Sequence, residues 1–118
     1  MLVYRVERNG VGPYRGEANW KLRENQRNNE FLESMYSAHN WDTKHPSPYL
    51  ENITVHSFTL CGFESLYTLR QWFKGFRQGL ATLGFKLAIY RVNRDDIQFG
   101  KYQLGFQNGI KVMECQLV

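Results

Sequence analysis

The stretch GFESLYTLRQWF at residues 62–73, with FKLAIYRV at 85–92 and FGKYQLGF at 99–106, decides the fold of this chain. Ser65 is a typical helix N-cap, and the apolar residues after it recur at the three- and four-residue spacing of an amphipathic helix. The two later segments are rich in aromatic and β-branched residues, which favour strands. The stretch therefore predicts a helix followed by strands, and it contains no motif typical of a known reaction.

Elements with similar signals precede this stretch. Leu2–Arg8 alternates in side-chain character, as a half-buried strand does, and Asn9-Gly10 ends it. Asn29 is expected to cap a helix. The apolar stripe of that helix consists of Phe31, Leu32, Met35, Tyr36 and Ala38.

Three strands are predicted to close the chain, at about 85–92, 97–106 and 109–117. Asn108-Gly109 is a strong signal for a tight hairpin between the last two. Strands at both ends with two main helices between them indicate an α+β fold. We therefore predict one α+β domain over residues 1–118, with a mostly antiparallel sheet and a C-terminal three-strand meander.

The composition excludes several classes of protein. Of the 118 residues, 42% are hydrophobic and 15% aromatic, which suffices for one core without disulfides or a structural metal. Cys61 and Cys115 lie in apolar surroundings and are expected to be buried free thiols. The histidines and cysteines lack zinc-site spacing, so no metal is predicted. With no signal-peptide pattern and no apolar run of the roughly 20 residues that span a bilayer, we expect a cytoplasmic protein without a membrane partner.

Basic residues are concentrated in one part of the chain. Residues 65–94 contain six basic side chains and no acid. Arg70, Lys74 and Arg77 are four and three positions apart, so one helix would present them on one face, where they are predicted to bind a partner. Such a charge run is also typical of a solvated face that binds nothing. Nucleic acid is an alternative partner for the segment Arg70–Arg94, although no RNA- or DNA-binding motif accompanies it.

A second set of residues indicates a nucleotide site. Arg5 on the first strand, Ser57 and Thr59 on an extended segment, and Gln103 on a late strand resemble the layout of ADP-ribosyltransferases in this order. The resemblance implies that Arg5 binds pyrophosphate through its bidentate fork and that Ser57 and Thr59 support the nicotinamide. Ordinary strand positions explain the same residue types without a cofactor.

The same resemblance gives the glycine-rich loop at residues 10–16 a role. Gly12 and Tyr14 would join Arg5 in binding an NAD-like dinucleotide, since glycines allow a backbone to approach a ligand closely. Gln103 departs from the family because it stands in the place of the catalytic glutamate, and an amide lacks the charge that stabilises a ribosyl cation. The departure favours binding over catalysis, and without this resemblance no cofactor is expected.

A broader pattern covers more than half of the chain. It consists of His45-Pro46-X-Pro48, Gly62-Phe63-X-Ser65-Leu66-X-X-Leu69-X-X-Trp72-Phe73, Tyr90-X-Val92 and Gly100-X-X-Gln103-X-X-Phe106. This pattern resembles small proteins of bacteriophages and prophages, and the resemblance implies a non-enzymatic accessory protein that binds and modulates a host or defence-system component in the host cytoplasm. Arg70, Lys74 and Arg77 would supply the polar contacts, and any exposed member of Tyr14, Trp20, Trp41 and Tyr49 would be an aromatic anchor.

Overall fold

A computed structural model describes residues 1–15, 18–40 and 42–117. This part of the chain contains α-helices and two antiparallel sheets, so the mixed α+β class is confirmed. Short 3₁₀ helices occur at Pro48–Glu51 and Arg94–Asp96. In chain order the elements are β1 (Leu2–Glu7), α1 (Trp20–Arg23), α2 (Gln26–Asn40), β2 (Leu60–Gly62), α3 (Leu66–Trp72), α4 (Arg77–Thr82), β3 (Lys86–Arg91), β4 (Ile97–Phe99), β5 (Leu104–Phe106) and β6 (Ile110–Gln116).

The large sheet has the order β1-β3-β6 and the small sheet the order β2-β5-β4. Successive side chains of a strand point to opposite faces, so the large sheet contributes to two cores. Its first face packs against the helices, in a core of Val6, Leu32, Met35, Phe63, Leu69, Trp72, Phe73, Leu80, Phe85, Leu87 and Leu117. Its second face packs against the small sheet, in a core of Val3, Ala88, Tyr90, Val92, Leu104 and Phe106.

The helices begin and end at residues with clear local signals. The Ser65 hydroxyl accepts the backbone N–H of Thr68 over 3.1 Å, which confirms the predicted N-cap of α3. The Asn25 side chain accepts the N–H of Asn28 over 3.1 Å, so α2 begins one turn earlier than the predicted cap at Asn29. Gly75 has a φ of +88°, a left-handed conformation that separates α3 from α4.

The predicted C-terminal meander is corrected by the strand pairing. β4 and β5 form a hairpin in the small sheet, whereas β6 pairs with β3 in the large sheet. A two-residue type I′ hairpin turn needs positive φ at both central residues. Asn9 and Gly10 meet this requirement with 52° and 79°, but in the second Asn-Gly pair only Asn108 has a positive φ. The predicted type I′ turn is therefore not formed at Asn108-Gly109, and the strand after it pairs with β3.

The predicted burial of both cysteines is half right. Cys61 is half-buried on β2, whereas Cys115 is exposed on β6. The apolar sequence around Cys115 indicated burial, but β6 is the outermost strand of its sheet and all seven of its residues are exposed.

Candidate functional site

The Arg5 side chain is bound inside the protein. Arg5 is 7% exposed, its Nε donates to Oε1 of Glu7 over 3.1 Å, and its Nη1 donates to the carbonyl of Cys61 over 2.7 Å. Glu7 is fully buried and also accepts from the Tyr90 hydroxyl over 2.5 Å and from Lys111 Nζ over 2.6 Å. Arg5, Glu7, Tyr90 and Lys111 are called the Glu7 network below. Its arginine, predicted to bind pyrophosphate, already has two acceptors within the chain.

The Glu7 carboxyl is ionised near neutral pH because its pKa is lowered. Burial alone would raise the pKa of the Glu7 carboxyl, but hydrogen bonds from Lys111 and Tyr90 and the charge of Arg5 outweigh it and lower the pKa. Burial, together with the hydrogen bond to Glu7, raises the pKa of the Tyr90 phenol. A carboxylate with partners on both oxygens and a lowered pKa is suited to a structural role rather than to proton transfer at neutral pH.

The glycine-rich loop brings Gly12, but not Tyr14, to Arg5. A Cβ on Gly12 would lie 3.3 Å from a guanidinium nitrogen of Arg5, so the loop closes directly over that side chain. The Asn19 amide holds the loop in place by donating to the carbonyl of Gly12 over 3.1 Å. The Tyr14 hydroxyl accepts from Trp72 Nε1 over 2.8 Å, on the opposite face of the large sheet from Arg5. The three predicted dinucleotide-binding residues therefore lie in two places.

Ser57, Thr59 and Gln103 lie apart from this network. Ser57 is exposed in a turn, and Thr59 is buried with its hydroxyl accepting the backbone N–H of His56 over 3.0 Å. Gln103 is 8% exposed and donates to the carbonyl of Pro46 over 2.8 Å. Thr59 lines a cleft of about 340 Å³, and the described lining does not include Arg5, Ser57 or Gln103. The four residues of the predicted catalytic layout thus do not converge there.

Histidines and aromatic residues form a cluster between α2 and α3. The rings of His39 and His45 stack with centroids 3.9 Å apart, and Tyr14 hydrogen-bonds to Nδ1 of His39. His45 Nε2 donates to the carbonyl of Trp72 over 2.7 Å, because a carbonyl oxygen can only accept. Its Nδ1 lies 3.3 Å from a carboxylate oxygen of Asp42. The loop that contains His45-Pro46 thus connects the end of α2 to the end of α3.

The shifted pKa values of His39 and Cys61 make His39 a weak base and Cys61 a weak nucleophile. Burial, and then the neighbouring His45, lowers the pKa of His39 to about 4, so it is neutral at pH 7. Burial raises the pKa of the Cys61 thiol despite the charges of Arg5 and Arg15. A thiol is a weak nucleophile when it stays protonated.

The predicted basic residues occupy two helices and the turn between them. Arg70 is exposed on α3, Lys74 is exposed in the turn, and Arg77 is half-buried at the first position of α4. The single continuous helix face that the spacing predicted is interrupted, because α3 ends at Trp72. Within the described residues, no carboxylate lies within 4.0 Å of any of these three cations. Their charges are therefore not neutralised by close ion pairs inside that part of the chain.

An aromatic side chain that the sequence reasoning missed lies among these cations. Tyr67 is on α3, 73% exposed and three positions before Arg70, a spacing that places both side chains on the same side of the helix. Lys74 follows in the turn after α3. In the sequence, Tyr67 lies outside the apolar stripe of α3, and this position was the signal that could have indicated its exposure. Tyr67, Arg70, Lys74 and Arg77 are called the α3–α4 surface below.

The predicted aromatic anchors lie outside the α3–α4 surface. Trp20 on α1 is 56% exposed and Tyr49 in the first 3₁₀ helix is 84% exposed. The hydroxyl of Tyr14 is engaged in the histidine cluster, and Trp41 lies outside the described residues. Tyr67 is therefore the exposed aromatic residue with the clearest placement beside predicted partner-binding cations.

Residues 1–15, 18–40 and 42–117 contain no group of three histidine, cysteine or acidic side chains placed to hold a metal ion. None of the helices in these ranges combines the length and the apolar character that crossing a bilayer requires.

Comparison with known proteins gives one match. The sequence model of a family described as "Bacteriophage T4 Y00F protein" matches residues 1–114. The chain matches no curated protein and no solved structure. The family match supports the resemblance to small phage proteins, and nothing in these comparisons supports the resemblance to ADP-ribosyltransferases.

Proposed function

Because the chain belongs to the bacteriophage T4 Y00F protein family, we propose that it is a phage accessory protein that binds a host or defence-system component. Binding takes place on the α3–α4 surface and involves no catalysis. The partner presents an acidic surface with a pocket or groove for an aromatic ring.

The exposed Tyr67 beside Arg70 is the observation that carries this proposal. Tyrosine and arginine are enriched among the few residues that dominate the energetics of protein interfaces. Tyr67 supplies a large apolar ring with a polar tip, and Arg70 supplies a fork that fits carboxylates. Since neither Arg70 nor Lys74 has an ion pair within the described residues, binding requires no internal salt bridge of theirs to break.

The rigid support of α3 favours binding by a preorganised surface. The Ser65 cap fixes the start of the helix, and two of the helix's own side chains, Leu69 and Trp72, are buried in the core. A surface that is already ordered loses less conformational entropy when a partner binds. The net charge of +4, with six cations and no acid in residues 65–94, would steer an acidic partner toward this side.

The decisive experiment compares two charge-matched triple variants. The protein is immobilised and used to capture proteins from a lysate of the phage's bacterial host, with quantification by mass spectrometry. We expect Arg70→Glu/Lys74→Glu/Arg77→Glu to lose the specific partner that the unmodified protein retains. The control, Lys86→Glu/Arg91→Glu/Arg94→Glu, changes the net charge equally and should retain that partner.

Two outcomes would contradict the proposal. Equal capture by the unmodified protein and the α3–α4 variant would remove this surface as the binding site. Equal loss of partner capture in both triple variants would show that the interaction depends on net charge and not on this surface. Circular dichroism of each variant checks that it is folded, because Arg77 is half-buried.

The alternatives from the sequence have weaker support. For the NAD-like dinucleotide, Arg5 is engaged with Glu7 and Cys61, and the layout residues are dispersed. For nucleic acid, the cations from Arg70 to Arg94 lie on separate elements rather than on one continuous helix.

A further inference from the structure

Strand β6 is an open edge of the large sheet. It pairs with β3 on one side, and no other described strand pairs with its second side. All seven residues of β6 are exposed, including Ile110 at 65%, Val112 at 42% and Met113 at 55%. An edge strand with exposed apolar side chains is a template for pairing with another strand.

The protection of this edge is partial. Proteins prevent pairing at an open edge strand with proline, charged side chains or β-bulges, and β6 has one bulge, at Val112. β6 contains no proline, and its one lysine, Lys111, directs its ammonium to the buried Glu7 carboxylate. That lysine lies over the face of the sheet, where it belongs to the Glu7 network.

The pairing register places the two charges of β6 on one face of the sheet. Lys111 is opposite Tyr90 and Glu114 is opposite Ala88, and these two β3 residues share a face because they are two positions apart. Met113 is opposite Ile89 and therefore lies on the other face. The register shift between Ile89 and Tyr90, a bulge with one extra residue on β6, puts a cation and an anion three positions apart on the same side.

We propose that β6 pairs antiparallel with β6 of a second copy of this chain, about a two-fold axis at Met113. Reversal of the strand places Glu114 of each copy one residue from Lys111 of the other, on the same face. Within the described residues Lys111 donates one hydrogen bond, to Glu7. An ammonium group can donate three, so Lys111 can also donate to this second carboxylate. The charges of β6 are thus complementary to those of a second, reversed β6. The two-fold symmetry forms the contact between Glu114 and Lys111 twice.

The apolar side chains of β6 would also gain cover from this pairing. The two Met113 side chains meet at the axis on the face opposite to the charged pairs. Ile110 and Val112, now exposed, come beside the strand of the second copy. The interface is small, with one strand from each copy, so the dimer forms at high protein concentration and dissociates on dilution.

Sedimentation equilibrium of the full chain, from about 10 µM to about 1 mM, spans the affinity range of such a contact. A reducing agent is present throughout, because Cys115 is an exposed thiol on the same strand and could join two chains covalently. The expected mass rises with concentration from the 14.0 kDa of one chain toward twice that value.

Three variants locate the interface. Glu114→Lys places like charges together, and Met113→Lys places two cations at the axis, so each should weaken dimerisation by about tenfold or more. Glu30→Lys, an equal charge change at an exposed position of α2, should dimerise like the unmodified protein. Thermal unfolding monitors the fold of each variant.

A constant mass of 14.0 kDa over the whole range would overturn the proposal and leave the edge to another occupant. Unchanged dimerisation of both β6 variants would overturn it as well, because the interface would then lie elsewhere. These results are independent of the α3–α4 surface, since neither β6 variant alters that surface.

Discussion

The Glu7 network and the α3–α4 surface contain the same cation types in opposite situations. In the network, Arg5 and Lys111 contact a fully buried carboxylate. On the surface, Arg70 and Lys74 are exposed and have no ion pair within the described residues. The difference teaches that a basic residue type does not by itself indicate a binding site. What distinguishes the two regions is whether the chain already supplies the counter-charge.

The largest expected effect comes from removing the charge at the centre of the network. Glu7→Gln leaves the buried Arg5 without its counter-ion and removes the carboxylate partner of Lys111, so we expect the free energy of unfolding to fall by about 3–5 kcal/mol. Urea unfolding measures this change. Glu30→Gln on α2, an exposed carboxylate, is the control and should unfold like the unmodified protein. A fall no greater than in this control would mean that the network does not stabilise the fold.

The lowered pKa of the buried His39 makes the free energy of unfolding depend on pH. Unfolded His39 takes up a proton near pH 6.5, whereas burial and the stacked His45 delay protonation of the folded form to about pH 4. The unfolded state binds more protons between these values, so stability falls as the pH drops through this window. The total loss is at most about 3 kcal/mol.

Urea unfolding at intervals from pH 7.5 to 4 tests the assignment to His39. His39→Gln should flatten the slope between pH 6.5 and 4, whereas His56→Gln, at an exposed position, should keep it. The lowered pKa of Glu7 acts in a lower window, since its stabilisation is present above the ordinary value of 4.5 and is lost as the pH falls through the folded-state pKa. An unchanged slope in His39→Gln would assign the upper window to other groups.

The smallest effect on stability is expected on the α3–α4 surface. Tyr67→Ala should change the free energy of unfolding by no more than about 0.5 kcal/mol, because the side chain is 73% exposed. It should nevertheless weaken partner capture by about tenfold or more. Phe63→Ala, at a buried neighbour of α3, should show the reverse pattern, with a loss of about 3–5 kcal/mol in stability. Large destabilisation by Tyr67→Ala would show that this residue belongs to the core.

Local signals in the sequence predicted much of the fold. Alternation of side chains indicated β1, the aromatic and β-branched composition of residues 85–92 indicated β3, and the Ser65 cap indicated the start of α3. The partner of β6 was not predictable in this way, because Asn108-Gly109 signals a turn but does not specify which strand the following residues pair with.

The candidate sites were predicted only in part, because the sequence does not show the exposure of a side chain or its long-range contacts. The spacing of Arg70, Lys74 and Arg77 identified the cations, but Gly75 divides their helix and exposure had to be seen to include Tyr67. Arg5 was expected to bind a ligand because of the resemblance to the ADP-ribosyltransferase layout, and the sequence did not show that it pairs with Glu7, which Lys111, 104 positions away, also contacts. Contacts of that range leave no periodic pattern in a sequence.

The same separation affects how the chain is made. β1 pairs with β3 in a register that joins Leu2 to Arg91, so its strand partner is synthesised long after β1 itself. Closing so long a loop is entropically costly and slows folding. Glu7 therefore reaches Lys111 only after the segments up to β6 have been synthesised, so the ionic centre of the protein is completed late in folding.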